Sequence, residues 1–195
     1  NFACASGVLP SAKNLTELAA CGAAVEAALG RPLAIYSGGG TGSFVMMRRG
    51  SLPGAFNNLR LGEALLLGRD TSFGMLLDGL SQDTMRIEAE LVEVRTKPTL
   101  PVGEIGHDAF GSVPVFEDRG DRRRGILALG KQDVNISGLE PLDDGVRIIT
   151  ASSDHLLVDI EERPDLKVGD VLSFRPDYTA MLSSSTSPYV TKVFE

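Results

Sequence analysis

Leu33-Ala34-Ile35-Tyr36-Ser37-Gly38-Gly39-Gly40-Thr41-Gly42-Ser43 is the stretch on which the fold turns. A short apolar, β-prone run drops into a loop of four glycines, two serines and a threonine, and a helix-compatible segment follows. That order aims backbone N–H groups, small hydroxyls and a helix N-terminus at one point, which suits a phosphate. Alone, such a loop reads as well as a tight turn without a ligand. About twenty residues on, Asn58-Leu59-Arg60-Leu61-Gly62-Glu63-Ala64-Leu65-Leu66-Leu67-Gly68 supplies a second apolar element with one conspicuous arginine.

Upstream, residues 1–5 read as a short strand. Asn14-Leu15-Thr16-Glu17 has the form of a capping box and predicts a helix with Leu15, Leu18, Ala19, Val25 and Leu29 on its apolar face, stopped by Gly30. Residues 33–36 predict the next strand, and 43–49 a short helix closed by Gly50. Residues 58–67 then complete a β-α-β-α-β rhythm, the mark of a parallel α/β architecture. Asn1 rather than Met stands first, so the chain is expected to begin within a fold. Three parallel strands neither close a barrel nor hide their edges. Another chain or further residues are expected to complete them.

Near residues 77–84 the pattern changes. Residues 85–95 alternate charged and apolar side chains, as a half-buried antiparallel strand does. Further strands are predicted at 113–116, 125–129, 146–150, 156–160, 171–174 and 189–194, separated by Gly, Pro, Asp and Ser turns with no useful helix between them. Such spacing predicts a small β-barrel or sandwich. The expected class is α/β plus all-β, with domains at 1–80 and 81–195.

A net charge of −7 over 195 residues argues against nucleic acid as a partner, because phosphate contacts need a basic face. Arg119, Arg122, Arg123 and Arg124 are interleaved with Glu117, Asp118 and Asp121, which predicts a solvated loop. Cys4 and Cys21 are too few for a disulfide framework and fit two buried, reduced thiols. His107 and His155 have no metal-ligand spacing. No segment approaches the roughly 18 apolar residues of a membrane span, and Asn1-Phe2-Ala3-Cys4-Ala5 lacks a basic n-region. A soluble, cytoplasmic setting is expected.

Several ordered blocks carry a resemblance. Ser37 to Ser43, Asn58 to Gly68, Gly103-Glu104-Ile105-Gly106-His107-Asp108-Ala109-Phe110-Gly111, Gly130-Lys131-Gln132-Asp133-Val134, Ala151-Ser152-Ser153-Asp154-His155, and Tyr178 through Ser187-Pro188-Tyr189-Val190 resemble the C-terminal portion of the ornithine/alanine-type amino-acid racemases. These are fold-type III pyridoxal-phosphate enzymes, and the ornithine branch looks nearer than the alanine branch. The resemblance implies the last part of a (β/α) barrel carrying pyridoxal 5'-phosphate, then a C-terminal β-barrel or sandwich domain. A complete barrel takes about 250 residues, whereas about 80 precede the β region here. In the family the Schiff-base lysine lies on the barrel's first strand, which this chain does not contain.

The resemblance also implies roles. Gly40 and Thr41 match the family's phosphate-binding pair, and Gly62 with the Glu63 amide matches a second approach of backbone to the phosphate. Arg60 matches the arginine facing the cofactor's ring nitrogen. An arginine stays protonated, so it donates a hydrogen bond without handing the ring a full proton, which suits an enzyme that only removes and returns an α-proton. From the residues alone, Arg60 reads equally as a strand-end ion pair to Glu63 or Asp70. Tyr178 matches a tyrosine reaching the phosphate, against the plain reading of a core tyrosine in an apolar strand. Ser153 matches a substrate-carboxylate position. Two-base racemisation needs a second acid/base group, for which Lys131 and His107 are candidates; a surface-turn lysine and a structural histidine stay open as alternatives. The implied activity is racemisation of a small ornithine-like or alanine-like amino acid by a homodimer, or by this chain with a complementary N-terminal barrel segment. The alternative is a non-catalytic phosphate-binding dimerisation module.

Overall fold

The structure, a computed structural model, describes residues 6–108 and 111–194. The strand expected at 1–5 and Cys4 lie outside them. The chain divides into two compact units, Asn1–Thr84 and Met85–Glu195.

In the first unit, helix α1 spans Ala12–Leu29. Its capping box is formed by Ser11 and Asn14: the Asn14 N–H donates to Ser11 Oγ, and the Ser11 N–H donates to Asn14 Oδ1 at 2.8 Å. Asn14 therefore closes the box as the third helical residue instead of opening it. Gly30, at φ 63°, ends the helix as expected. Only Leu15 of the predicted apolar face is buried, while Leu18, Val25 and Leu29 are exposed. Cys21 is an exposed free thiol, against the expectation of a buried one. Gly22 has a packing reason, since a Cβ there would lie 2.2 Å from the Tyr36 ring.

The predicted strands at 33–36 and 58–67 reduce to one parallel bridge, Ser37 to Asn58. Gly38 N–H donates to Asn58 O at 2.9 Å and Asn58 N–H to Tyr36 O at 3.2 Å. Beyond that, the Asn57 side chain takes over the ladder, accepting from Tyr36 N–H at 2.9 Å and donating to Ala34 O at 3.0 Å. Isolated parallel pairing is weak without flanking strands, so the ladder stops there. Helix α2 (Thr41–Arg48) follows the glycine loop, and α3 (Glu63–Leu67) occupies the second half of the element read as a strand. A two-residue hairpin, β1 (Arg69–Asp70) with β2 (Met75–Leu76), comes next. Val45, Ala64 and Leu77 form this unit's small core, with Phe44 and Leu80 against it.

The second unit is one six-stranded antiparallel sheet. Its strands are β3 (Ile87–Pro98), β4 (Asp121–Leu127), β5 (Leu139–Pro141), β6 (Arg147–Ala151), β7 (Leu156–Asp159) and β8 (Val171–Pro176), in the order β5-β8-β3-β4-β7-β6. The alternation in β3 puts Ile87, Ala89 and Leu91 inside, as its pattern predicts. The register then slips between Leu91 and Glu93 against β4. An extra residue at such a bulge bends and twists the strand. A second slip lies between Ile148 and Thr150 in β6. One cluster draws on both edges, Leu139 from β5 and Ala151 from β6, together with Leu127, Leu156, Val158, Leu172 and Phe174. The sheet therefore curls around a single interior and nearly closes, the β-barrel member of the two predicted forms.

Four expectations fail here. Residues 113–116 and 189–194 form no strand, and Val115 and Phe194 are exposed. Arg122 to Arg124 belong to β4 rather than a loop. The first two are taken up by Asp159, which accepts from Arg122 Nε at 2.6 Å, and by the Arg163 and Leu166 carbonyls, which accept from Arg123. The unpredicted helix α4 (Tyr178–Thr186) sits between β8 and the C-terminal segment. Ser- and Thr-rich stretches favour turns over helix, which hides it; the Asp177 cap, accepting from Ala180 N–H at 2.9 Å, is the signal that marks it. Among the described residues, no helix is long and apolar enough to cross a membrane, and no cluster of potential metal ligands occurs.

Candidate functional site

The glycine loop is built by a few short-range constraints. Gly39 holds φ 108°, a region disfavoured for residues with a Cβ. A Cβ on Gly38 would lie 3.1 Å from the Phe56 ring, and one on Gly40 would lie 3.2 Å from the Arg60 carbonyl oxygen. Buried Ser43 folds the loop back on itself, its hydroxyl donating to Gly38 O at 2.6 Å.

Three contacts lace this loop to the segment from Arg60 to Ala64. Arg60 N–H donates to Gly39 O at 2.8 Å, and the Arg60 guanidinium donates to the Ser37 hydroxyl. Thr41 Oγ1 accepts from Ala64 N–H at 3.2 Å. With its oxygen so used, the Thr41 hydroxyl keeps its proton to donate outward. Thr41 and Gly42 head α2, so their N–H groups have no acceptor one turn earlier. Gly62 has open space where a Cβ would stand. Gly40, Thr41, Arg60, Gly62 and Glu63 are thus brought together, a donor-rich corner next to a fixed cation. The corner has the chemistry of an anion site.

The ion pair from Arg60 to Glu63 or Asp70 does not form; the Arg60 guanidinium turns to Ser37, and Asp70 Oδ2 is buried with no hydrogen-bond partner. Glu63 accepts from the Thr71 N–H at 3.1 Å and from the Thr71 hydroxyl. Buried Asp70 accepts from the Ser72 N–H at 2.9 Å and the Phe73 N–H at 3.3 Å. Only the backbone of Glu63 is left to serve an anion. Sequence reasoning missed Ser43 and Asn57, which shape the loop; small polar residues flanking glycines were the available signal.

In the second unit, Lys131 and Ser153 meet on two back-to-back turns. Lys131 N–H donates to Ser152 O at 3.0 Å and Gln132 N–H to Ser153 O at 3.1 Å. Gln132 Nε2 donates to Asp154 Oδ1 at 2.7 Å. Buried Asp133 holds the first turn shut by accepting from Gly130 N–H at 2.7 Å. The turns touch so closely that a Cβ on Gly130 would lie 2.0 Å from Ser153 O. Lys131 and Ser153 are both exposed. His107 is exposed on the long β3–β4 connection, not buried as a structural histidine. Tyr178 opens α4 and is 43% exposed, so it is not a core tyrosine in a strand.

No protein-family model matches the chain. It is 43% identical to ornithine racemase from Acetoanaerobium sticklandii over 193 residues, 98% of this chain and 55% of that protein. It is 44% identical to lysine racemase from Thermotoga maritima over 195 residues, 100% of this chain and 55% of that protein. The chain thus spans about half the length of the curated relatives it matches. Its fold resembles alanine racemase from Bartonella henselae with covalently bound pyridoxal phosphate, at TM-score 0.53 and 19% identity over 96% of this chain and 50% of that one. It also resembles D-threonine aldolase from Filomicrobium marinum, at TM-score 0.52 and 16% identity over 88% and 42%. The chain belongs to the fold-type III amino-acid racemase family and corresponds to its C-terminal portion. Within that family, the sequence relatives named above are an ornithine and a lysine racemase.

Proposed function

We propose that this chain is the phosphate-anchoring and β-domain part of a cytoplasmic, pyridoxal-phosphate-dependent amino-acid racemase acting on ornithine or a similar amino acid as a homodimer. The observation that carries this reading is the lacing of the two loops. Thr41 and Arg60 are held by backbone bonds to each other's segments, and their remaining donors are left for an anion and a neighbouring acceptor.

The residues present fit the cofactor. Gly40 and Gly62 would let backbone approach, and the Thr41 hydroxyl with the first amides of α2 would hold phosphate oxygens. Arg60 would offer the cofactor's ring nitrogen a hydrogen-bond donor. When bound, the cofactor supplies an electron sink that acidifies the substrate's α-proton. Tyr178 serves as a further phosphate donor and Ser153 orients the substrate carboxylate. Lys131 or His107 would hold and return the proton on one face. The Schiff-base lysine on the opposite face belongs to the part of the relatives that this chain does not match.

The test is full-length protein, or this chain co-produced with an N-terminal barrel segment, assayed for cofactor absorbance and for loss of optical rotation of L-ornithine and L-lysine. Thr41→Val is expected to weaken cofactor binding roughly tenfold or more, the cost of one hydrogen bond to a charged group. Unchanged cofactor affinity in that variant removes Thr41 from the site. Cofactor uptake without racemisation of ornithine, lysine or alanine favours the non-catalytic binding module.

A further inference from the structure

One arginine on the outer face of the β sheet, Arg124, is left without a hydrogen-bond partner for its buried Nε. Gly125 and Leu127 of β4 point inward, since a Cβ on Gly125 would strike Leu91 and Val158. Arg122 and Arg124 alternate with them and therefore lie on the opposite face. Arg124 pairs in register with Arg95 of β3 on one side and Asp159 of β7 on the other. Like charges directly opposite across a ladder are destabilising, so the arrangement wants an explanation.

The nearby acids are already committed. Asp159 takes the Arg122 guanidinium through two bonds, at 2.6 and 3.1 Å. Glu117 takes Arg119, with Nε at 2.8 Å. Arg147 reaches Glu162 at 3.4 Å. Arg124 has no ion-pair partner among the described residues, and its Nε is buried with no hydrogen-bond partner. A buried, unmatched donor of this kind carries a desolvation cost that a ligand would relieve.

Arg124 lines a cleft of about 270 Å³ between this sheet face and the segment carrying Val115, Phe116, Glu117 and Arg119. The remaining walls include Ile148 and Ile149. The cleft therefore combines one uncompensated guanidinium with apolar surface, in a chain whose net charge is −7. A solvated surface arginine would need neither the cleft nor the covering segment. We propose that this cleft binds a small organic monocarboxylate with an apolar body, its carboxylate held by the Arg124 guanidinium. A planar guanidinium matches a carboxylate with two parallel hydrogen bonds. One negative charge balances the site and a second would not. This site is independent of the racemase reading, because none of its residues belongs to that proposed machinery.

Phenylacetate, phenylacetamide and inorganic phosphate titrated into the full ¹⁵N-labelled chain test the proposal. Saturable binding of phenylacetate at millimolar concentration or below is expected, shifting amides of Phe116, Glu117, Ile148 and Ile149. Phenylacetamide, of the same shape without the charge, should bind at least about tenfold more weakly, and so should the R124Q variant with phenylacetate. No saturation, shifts elsewhere on the molecule, equal binding of the amide, or phosphate binding as tightly as phenylacetate would each overturn it. Should R124Q fail to fold by circular dichroism, R124K keeps a charge but loses the fork, and unchanged affinity there overturns the proposal equally.

Discussion

Replacing Gly130 by alanine should pry apart the two turns that carry Lys131 and Ser153. The added Cβ would lie 2.0 Å from Ser153 O, 2.3 Å from its carbonyl carbon and 2.4 Å from Asp154 N. All three contacts are backbone, so no side-chain rotation relieves them. Gly130 does not hold a left-handed φ, so the cost is steric and not conformational. Separation breaks the Lys131 N–H to Ser152 O and Gln132 N–H to Ser153 O bonds, worth about 1 kcal/mol each. Overpacking adds about 1 kcal/mol or more. The sum is on the order of 3 kcal/mol, or about 10–20 °C in Tm for a domain of this size. The assay is urea and thermal unfolding of the purified chain followed by far-UV circular dichroism. Gly106→Ala is the control, because nothing lies within 4 Å of its Cβ position. There the smaller unfolded-state entropy leaves stability unchanged or raised by about 0.5 kcal/mol. A Gly130→Ala variant within 1 kcal/mol of wild type, by the same order-of-magnitude scale, would refute the packing argument.

Burial pushes the Asp159 carboxyl up, but the hydrogen bond from Arg122 and the backbone bond from Glu161 more than offset it, leaving it below the usual carboxylate range. A carboxyl lowered on folding contributes stability above its unfolded pKa of about 3.9 and loses it as pH falls through the folded value. Asp159→Asn should therefore cost about 1–3 kcal/mol at neutral pH, with the gap to wild type narrowing below about pH 4; a gap independent of pH down to acid unfolding contradicts this. Phe174 is fully buried and in register with Ile87 and Pro141. Phe174→Ala should cost about 3–5 kcal/mol in chemical denaturation, and a loss under about 1 kcal/mol would mean the sheet interior is not packed as described.

Elements whose signal is local were legible before any coordinates. The alternation in β3, the stop at Gly30 and the turn glycines each depend on neighbours a few residues away. Elements that depend on partners were misread. Residues 33–36 have the composition of a strand, yet pairing stops at Ser37 and Asn58, and among the described residues no strand flanks them. Arg122 to Arg124 look like loop residues until Asp159, 37 residues from Arg122, arrives to take a guanidinium. Helix α4 was concealed by serines and threonines that are neutral only because Asp177 caps the first turn and the sheet interior receives Ala180.

By itself, the amino-acid order determined the succession of a mixed α/β segment and an antiparallel β segment. That much follows from side-chain periodicity and from glycine's freedom near the backbone. Only the tertiary structure decided that Arg60 turns to Ser37 and not to Glu63, that Thr41 reaches Ala64, and that Lys131 and Ser153 share a pair of interlocked turns. Such contacts join residues some twenty apart. Each is selected by competition among several polar partners for the same donor, which only the packed chain resolves.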